Sequence, residues 1–328
     1  MQETCYIKTV EGVEFKGERT KSILDTSLLA GVNFQYSCRN GQCGICKATL
    51  LKGEARPIQP QIALTSTDIK KRKILTCCCA PVSNILIDAK DLTMLKDIEI
   101  KTLPVRINKI IKQTDQIIEV ELRLPPTANF KFLEGQYIDV ISSKGVRRSY
   151  SIANCANESK LRLFIKKIDT GKLSQYWVSE AKENDLLHIE GPKGTFFLRE
   201  EKSPIIFLAT GTGIAPIKAI LDRLSTQEKV SNLNFMLYWG NRFQRDFFWR
   251  PNYPKLNFTY KPVLSRSTDG WHGEVGYIQN LVLNDNLRLA NACVYACGSL
   301  LMIKSAKKIL IDNGLDENNF YADAFVSS

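Results

Sequence analysis

The sequence predicts a multidomain chain that joins a small cysteine-rich unit, an antiparallel all-β unit and a parallel α/β unit. Three observations predict it. Six of the ten cysteines fall between positions 38 and 79, short alternating runs follow one another from Pro104 to Arg199, and from Pro204 the pattern turns to strand, Gly-rich turn and helix. A length of 328 residues suffices for two or three domains with cores of their own. With 44% hydrophobic and 24% charged residues, the composition excludes a disordered, collagen-like or coiled-coil chain.

The first unit is expected over residues 1–92. Residues 6–10 and 13–16 alternate around Glu11-Gly12 and predict a hairpin. Ile23, Leu24, Leu28 and Leu29 recur at helical spacing, and Gly31 suits the C-terminal cap of that helix. Three cysteines follow in a Gly-containing loop. Residues 88–103 are polar and charged and predict a linker. The second unit, over 101–199, carries alternating runs at 105–110, 117–124, 136–141, 149–152 and 161–165, which predict a barrel or a sandwich. In the third, over 200–328, Ile205–Thr210 leads through Gly211-Thr-Gly-Ile-Ala-Pro216 into a helix. Two further buried-strand runs, at 234–239 and 293–297, support a parallel sheet.

The formal charge of +11 invites a nucleic-acid reading, but it is spread as +5 over residues 1–90, +4 over 91–199 and +2 over 200–328. A nucleic-acid binder concentrates its charge on one stripe. Here Lys70–Lys73 is the sole basic block and reads as a solvated face. The N-terminus lacks the three-part pattern of a signal peptide, and no run approaches 18 apolar residues, so neither secretion nor membrane insertion is expected. A cytoplasmic, reducing setting follows, in which thiols serve as ligands rather than disulfides.

Cys38-x4-Cys43-x2-Cys46 with a fourth cysteine some thirty residues on is the ligand spacing of a plant-type two-iron, two-sulfur cluster. Gly41 and Gly44 let that loop curl around the cluster and aim N–H groups at its sulfides. Four thiolates also suit zinc, although zinc sites usually pair two short knuckles. Cys77, Cys78 and Cys79 compete for the fourth position, with Cys77 favoured. His188 and His272 lack metal-ligand spacing, and no hydrolytic triad or nucleophile elbow is present. Arg147 to Ser151 offers a cation, a ring and hydroxyls at the end of a strand, which fits either a flavin nucleotide or an ordinary polar strand edge. Gly211-x-Gly213 before a helix with Pro216 in its first turn fits a pyrophosphate at a helix N-terminus or a plain tight turn.

The segment Tyr36-Ser-Cys-Arg-Asn-Gly-Gln-Cys-Gly-Ile-Cys-Lys47 resembles the cluster loop of plant-type ferredoxin domains, which implies a β-grasp fold with Cys38, Cys43, Cys46 and Cys77 as ligands. Arg148-Ser-Tyr-Ser151 resembles the R-x-Y-S motif of ferredoxin-NADP reductase-like flavoproteins. That resemblance implies an FAD-binding barrel, with Arg148 on the pyrophosphate, Tyr150 against the isoalloxazine and Ser151 near its reactive nitrogen, and with Ser149 among the cofactor-binding residues. Gly171-Lys172-Leu173-Ser174 resembles the second phosphate segment of that family, with Ile165 and Lys166 at the preceding strand end. Gly211-Thr212-Gly213-Ile-Ala-Pro216, the stretch 237–242 with Gly240 and Arg242, and Ala296-Cys297-Gly298 resemble its nicotinamide-nucleotide segments. Cys297 is then expected beside the nicotinamide.

A chain with all three groups is expected to pass electrons from NADH, in preference to NADPH, to FAD, to the 2Fe–2S cluster and on to a protein acceptor. The ferredoxin domain stands first, unlike in phthalate dioxygenase reductases. Residues 148–154, 189–200, 271–277 and Phe320-Tyr-Ala-Asp-Ala-Phe325 most resemble the CDP-6-deoxy-delta-3,4-glucoseen reductase family. The resemblance implies a pyridoxamine phosphate-dependent dehydrase as acceptor, a place in 3,6-dideoxyhexose and lipopolysaccharide synthesis, and Phe325 near the flavin face. A reductase component of an aromatic or alkane oxygenase is the alternative, and a non-catalytic redox sensor is the alternative of another class.

Overall fold

The computed structural model describes residues 5–142, 145–168, 171–199, 202–227, 232–266 and 270–326. The chain separates into two compact units divided between Ile98 and Glu99. The polar stretch expected as a linker over 88–103 is shorter in the structure. Thr93–Leu95 forms a 3-10 turn, and the next strand already starts at Lys101, because its polar residues occupy an outward face that alternates with buried ones.

In the first unit β1 (Cys5–Thr9) and β2 (Glu14–Gly17) form the expected hairpin, with Tyr6 opposite Lys16. Helix α1 (Ile23–Leu29) starts at Ser22, whose hydroxyl accepts from Asp25 N at 2.9 Å. It ends before Gly31, which takes the left-handed φ of +74° that glycine adopts without strain. There follow β3 (Lys47–Lys52), β4 (Ala55–Pro57), α2 (Ser66–Lys70), β5 (Lys73–Leu75), β6 (Cys79–Pro81) and β7 (Ile85–Asp88). The main sheet runs β2-β1-β7-β3-β5, with β1 parallel to β7 and the other pairs antiparallel. Ile7, Phe15, Ile87 and Leu75 of the strands meet Ile23 and Leu24 of α1 in a single core. A mixed sheet closed over one helix is the β-grasp arrangement.

The second unit begins with β8 (Lys101–Lys112), β9 (Ile117–Arg123), β10 (Tyr137–Ile141), β11 (Arg147–Ser151) and β12 (Lys160–Lys166). Then come the short helix α3 (Lys172–Gln175), a π-type turn over Tyr176–Glu180 and β13 (Leu186–Lys193). The six strands pair antiparallel in the order β11-β10-β13-β8-β9-β12. A bridge from Ile152 to Leu163 joins the first strand to the last, so the sheet closes into a barrel and not a sandwich. Ile107, Val120, Ile138, Val140, Leu163 and Ile189 fill its interior.

The same unit continues into β14 (Ile205–Thr210), a 3-10 turn over Gly211–Gly213, α4 (Ile214–Leu224), β15 (Asn234–Asn241), β16 (Asn257–Leu264) and β17 (Glu274–Val275). It finishes with α5 (Ile278–Asn284), β18 (Cys293–Ser299), α6 (Leu300–Asp312) and β19 (Phe320–Phe325). All pairs in the sheet β17-β16-β15-β14-β18-β19 are parallel. The winding runs outward from β14 to β15 and β16, then resumes on the other side of β14 with β18 and β19. Ligands of such sheets bind outside the strand C-termini at the point of reversal, here between β14 and β18. Among the described residues, no helix is long and apolar enough to cross a membrane.

Candidate functional site

Four thiols of the first unit form two pairs. The Cys43 amide donates to Cys38 Sγ at 3.4 Å, and the Cys46 thiol donates to Cys77 Sγ at 3.2 Å. The hydrogen bond from the Cys43 thiol lowers the Cys38 pKa to about 5, which readies that sulfur as a thiolate. Its donor Cys43 is raised, by that bond first and then by burial, and Cys46 is raised in the same way by its bond to Cys77. Gly41 and Gly44 adopt φ of +78° and +77°. A Cβ on Gly41 would lie 2.2 Å from the Pro60 carbonyl oxygen, so only glycine lets the loop curl this tightly.

The other two thiols of the triplet turn elsewhere. Cys78 donates to the Pro60 carbonyl at 3.6 Å and also lies 3.4 Å from Cys77 Sγ, while Cys79 donates to Gln61 Oε1 at 3.2 Å. Burial pushes both up to about 11, so each stays protonated. Two sulfur pairs suit two irons.

On the barrel, alternation along β11 separates its side chains. Arg147 and Ser149 turn to Asp139 of β10, at 3.1 and 2.6 Å, and Lys193 adds a third bond to the same carboxylate at 2.8 Å. Burial works to raise the Asp139 pKa, but the Lys193 and Ser149 hydrogen bonds outweigh it and the net shift is downward. Ser149 therefore points its hydroxyl at the protein. Tyr150, on the alternate face, accepts a hydrogen bond from Trp177 Nε1 at 3.1 Å and meets that ring edge-on at 83°. Burial raises its phenol to about 12 and keeps it neutral. Arg148 is exposed and donates to the Arg147 carbonyl at 2.8 Å. The Ser151 hydroxyl is buried and has no hydrogen-bond partner among the described residues. An orphaned buried hydroxyl suits a flavin with polar atoms along its edge. Ile165 and Leu173 point into the barrel core, and Ser174 Oγ accepts from Ile168 N at 2.7 Å, which shapes the turn after Gly171. The Lys172 side chain lies outside the described residues.

A cavity of about 900 Å³ opens at the C-terminal ends of the parallel strands. Thr210, Gly211, Thr212, Gly240, Arg242, Lys166 and Phe325 belong to its lining. A Cβ on Gly213 would lie 2.3 Å from the Cys297 carbonyl oxygen, and one on Gly298 would lie 2.1 Å from Thr210 Oγ1. Glycine at both positions lets the β14 turn press against β18. Pro216 stands in the first turn of α4, where no intrahelical N–H donor is needed. Cys297 is fully buried in the core and is not part of the lining, and burial, then Asp323, raises its pKa.

The structure thus brings the predicted cysteines into two pairs and gathers Gly211, Thr212, Gly240 and Arg242 at one cavity, whereas Gly213, Pro216, Gly298 and Cys297, the last expected beside the nicotinamide, lie outside its lining. Asp139, Trp177 and Lys193 escaped the sequence reading. The one available signal was an aspartate inside the apolar run Tyr137-Ile-Asp-Val-Ile.

A β-grasp unit with paired cysteines, a closed barrel and a parallel nucleotide-binding sheet define an iron–sulfur flavoprotein oxidoreductase. Known domain families match in the same order: the 2Fe-2S iron-sulfur cluster binding domain over residues 7–82, the oxidoreductase FAD-binding domain over 104–198 and the oxidoreductase NAD-binding domain over 207–308. The chain belongs to the family of the CDP-6-deoxy-L-threo-D-glycero-4-hexulose-3-dehydrase reductases. It is 40% identical to the Yersinia pseudotuberculosis member over 97% of both chains. It is 29% identical to the terephthalate 1,2-dioxygenase reductase component 1 of Comamonas, over 94% of this chain and 93% of that one. The fold is shared with the Amycolatopsis reductase GcoB, at a TM-score of 0.78 and 22% identity over 99% of both chains. The family expected from the sequence is borne out, and with it FAD, a 2Fe–2S cluster and a nicotinamide nucleotide as the redox groups. An electron-acceptor protein is the partner such reductases serve.

Proposed function

We propose that this chain takes electrons from NADH and delivers them singly to a cytoplasmic pyridoxamine phosphate-dependent dehydrase, completing C-3 deoxygenation of a CDP-6-deoxyhexose in 3,6-dideoxyhexose and lipopolysaccharide synthesis. The bound flavin and two-iron cluster supply the change from two-electron to one-electron transfer. The protein's own residues bind and orient. Cys38 with Cys43, and Cys46 with Cys77, hold one iron each. Arg148 binds the FAD pyrophosphate together with the backbone of Gly171, Lys172 and Leu173, and Ser174 shapes that turn. The Ile165 and Lys166 backbone lies along the same nucleotide. Tyr150, fixed by Trp177, presents its ring to the flavin, and the Ser151 hydroxyl hydrogen-bonds its edge. Ser149 contributes backbone only, because Asp139 engages its hydroxyl.

At the nucleotide cavity Gly211, Thr212 and Gly213 receive the pyrophosphate at the start of α4, which Pro216 stiffens, while Gly240 and Arg242 line the adenosine side. Cys297 and Gly298 support the nicotinamide end from behind the cavity wall, and the Cys297 thiol stays neutral. Phe325, 39% exposed at the end of β19, shields the flavin face.

The observation that carries the choice of acceptor is the 40% identity along 97% of a dehydrase reductase, against 29% for an oxygenase component. The test is a coupled assay with the purified dehydrase and its CDP-hexulose substrate. NADH consumption that depends on all three components, with formation of the deoxygenated sugar, is expected. Turnover with an oxygenase component and none with the dehydrase would overturn the choice.

A further inference from the structure

The four ligand thiols stand on two segments of chain, the loop from Cys38 to Cys46 and the turn that carries Cys77. Backbone next to the ligands makes the join within the pair of Cys46 and Cys77, because Thr76 N and Oγ1 both donate to the Cys46 carbonyl, at 3.0 and 3.2 Å. The other pair, Cys38 and Cys43, is reached through a third segment. Residues 58–63, between β4 and α2, lie across both ligand segments: Ile58 N donates to the Cys78 carbonyl at 2.8 Å, and Ala63 N donates to the Gly41 carbonyl at 2.9 Å. The strap is thus fastened to one segment at each end.

Gln59, near its start, faces two acceptors. Its Nε2 donates to the Cys77 carbonyl at 2.6 Å and to the Arg39 carbonyl at 3.2 Å, 18 positions ahead and 20 positions back in sequence. Carbonyl oxygens only accept, so the side-chain amide must turn its NH2 group toward both, with one N–H for each. Arg39 directly follows Cys38, and Asp25 of α1 pairs with its guanidinium. One amide therefore joins the backbone beside the first thiol pair to the backbone of the second. Gln61 differs: its Oε1 accepts from Leu75 N at 2.7 Å and from the Cys79 thiol at 3.2 Å, both on the triplet side. It fastens the strap to one segment only.

We propose that Gln59 is a positioning residue for the iron–sulfur site, whose amide fixes the separation of the two thiol pairs and so sets how firmly the cluster is held. The proposal rests on reading Cys38, Cys43, Cys46 and Cys77 as the ligands. Gln59 acts through two backbone carbonyls, and groups that orient ligands in this way are worth about tenfold or more in metal retention. It is half-buried, so water reaches both carbonyls when the amide is removed, which spares the fold two sealed, unpaired acceptors.

The test compares the holoprotein with its Gln59→Leu, Gln59→Asn and Gln61→Leu variants, each after iron and acid-labile sulfide analysis. Gln59→Leu removes both bonds; Gln59→Asn is one methylene shorter, cannot span both carbonyls, and supplies a loaded variant where Gln59→Leu does not load. A chelator is expected to bleach the cluster absorbance about tenfold faster in Gln59→Leu and by a smaller factor in Gln59→Asn. The visible circular dichroism of the still-intact cluster should also differ from wild type in the Gln59 variants, while Gln61→Leu keeps the wild-type spectrum. Wild-type bleaching rates, faster bleaching with a wild-type spectrum, or an equal spectral change in Gln61→Leu overturns the positioning role. A wild-type protein without iron and sulfide removes the ligand reading itself, before any variant is compared.

Discussion

Cys77 sits 3.2 Å from the Cys46 sulfur, whereas Cys78 and Cys79 bond to a carbonyl and an amide oxygen. Cys77 faces a ligand sulfur of the cysteine loop, whereas the Cys78 and Cys79 thiols donate to Pro60 and Gln61. Cys77→Ser is therefore expected to lose the cluster, leaving well below the normal content of about two irons and two sulfides per chain. Cys78→Ser and Cys79→Ser should keep it. Iron and acid-labile sulfide analysis decides, and loss in Cys78→Ser alone would move the fourth ligand. The spacing of Cys38, Cys43 and Cys46 was legible because three ligands lie in one short loop. The choice within the triplet was not, because it depends on where Pro60 and Gln61 fold back. The Tyr150 to Trp177 bond was illegible for the same reason, since its partners stand 27 positions apart.

At the scale of elements, the contact of the Gly211–Gly213 turn with β18 sets how closely the two sides of the nucleotide cavity approach. Gly213→Ala inserts a methyl 2.3 Å from the Cys297 carbonyl, which must push turn and strand apart. The φ of Gly213 is an ordinary −62°, so the effect is steric rather than conformational. A loss of about 2 kcal/mol in stability and a raised KM for the nicotinamide nucleotide are expected, read from denaturant midpoints and steady-state rates. An unchanged midpoint and KM would show that the turn has slack. Elements with strong local signals were readable in advance: the first hairpin, α1, and the β14 turn into α4. Strands β13, β16 and β19 were not read as strands. The first ends in Gly191-Pro192-Lys193, which reads as a turn, and Lys261-Pro262 interrupts the second. Each is held by pairing with strands distant in sequence.

For the whole molecule, the excess of +5 over residues 1–90 makes the cluster-bearing unit the most basic part of the chain. An acidic docking face on the acceptor would be drawn to it. Electron delivery should then slow as ionic strength rises, measured as the rate of acceptor reduction at saturating NADH. A salt-independent rate would place docking on uncharged surface. The barrel has a further consequence. One residue past the open Ser151 hydroxyl, Ile152 meets Leu163 and the ring of strands is complete. In a ring no strand can slide by one pair unless every other strand shifts with it. The height of Ser151 is therefore gauged by the whole circumference, and a local substitution cannot reset it. The strand ends of the open parallel sheet carry no such constraint. Nucleotide preference is thus free to diverge between relatives while the Ser151 hydroxyl keeps its place.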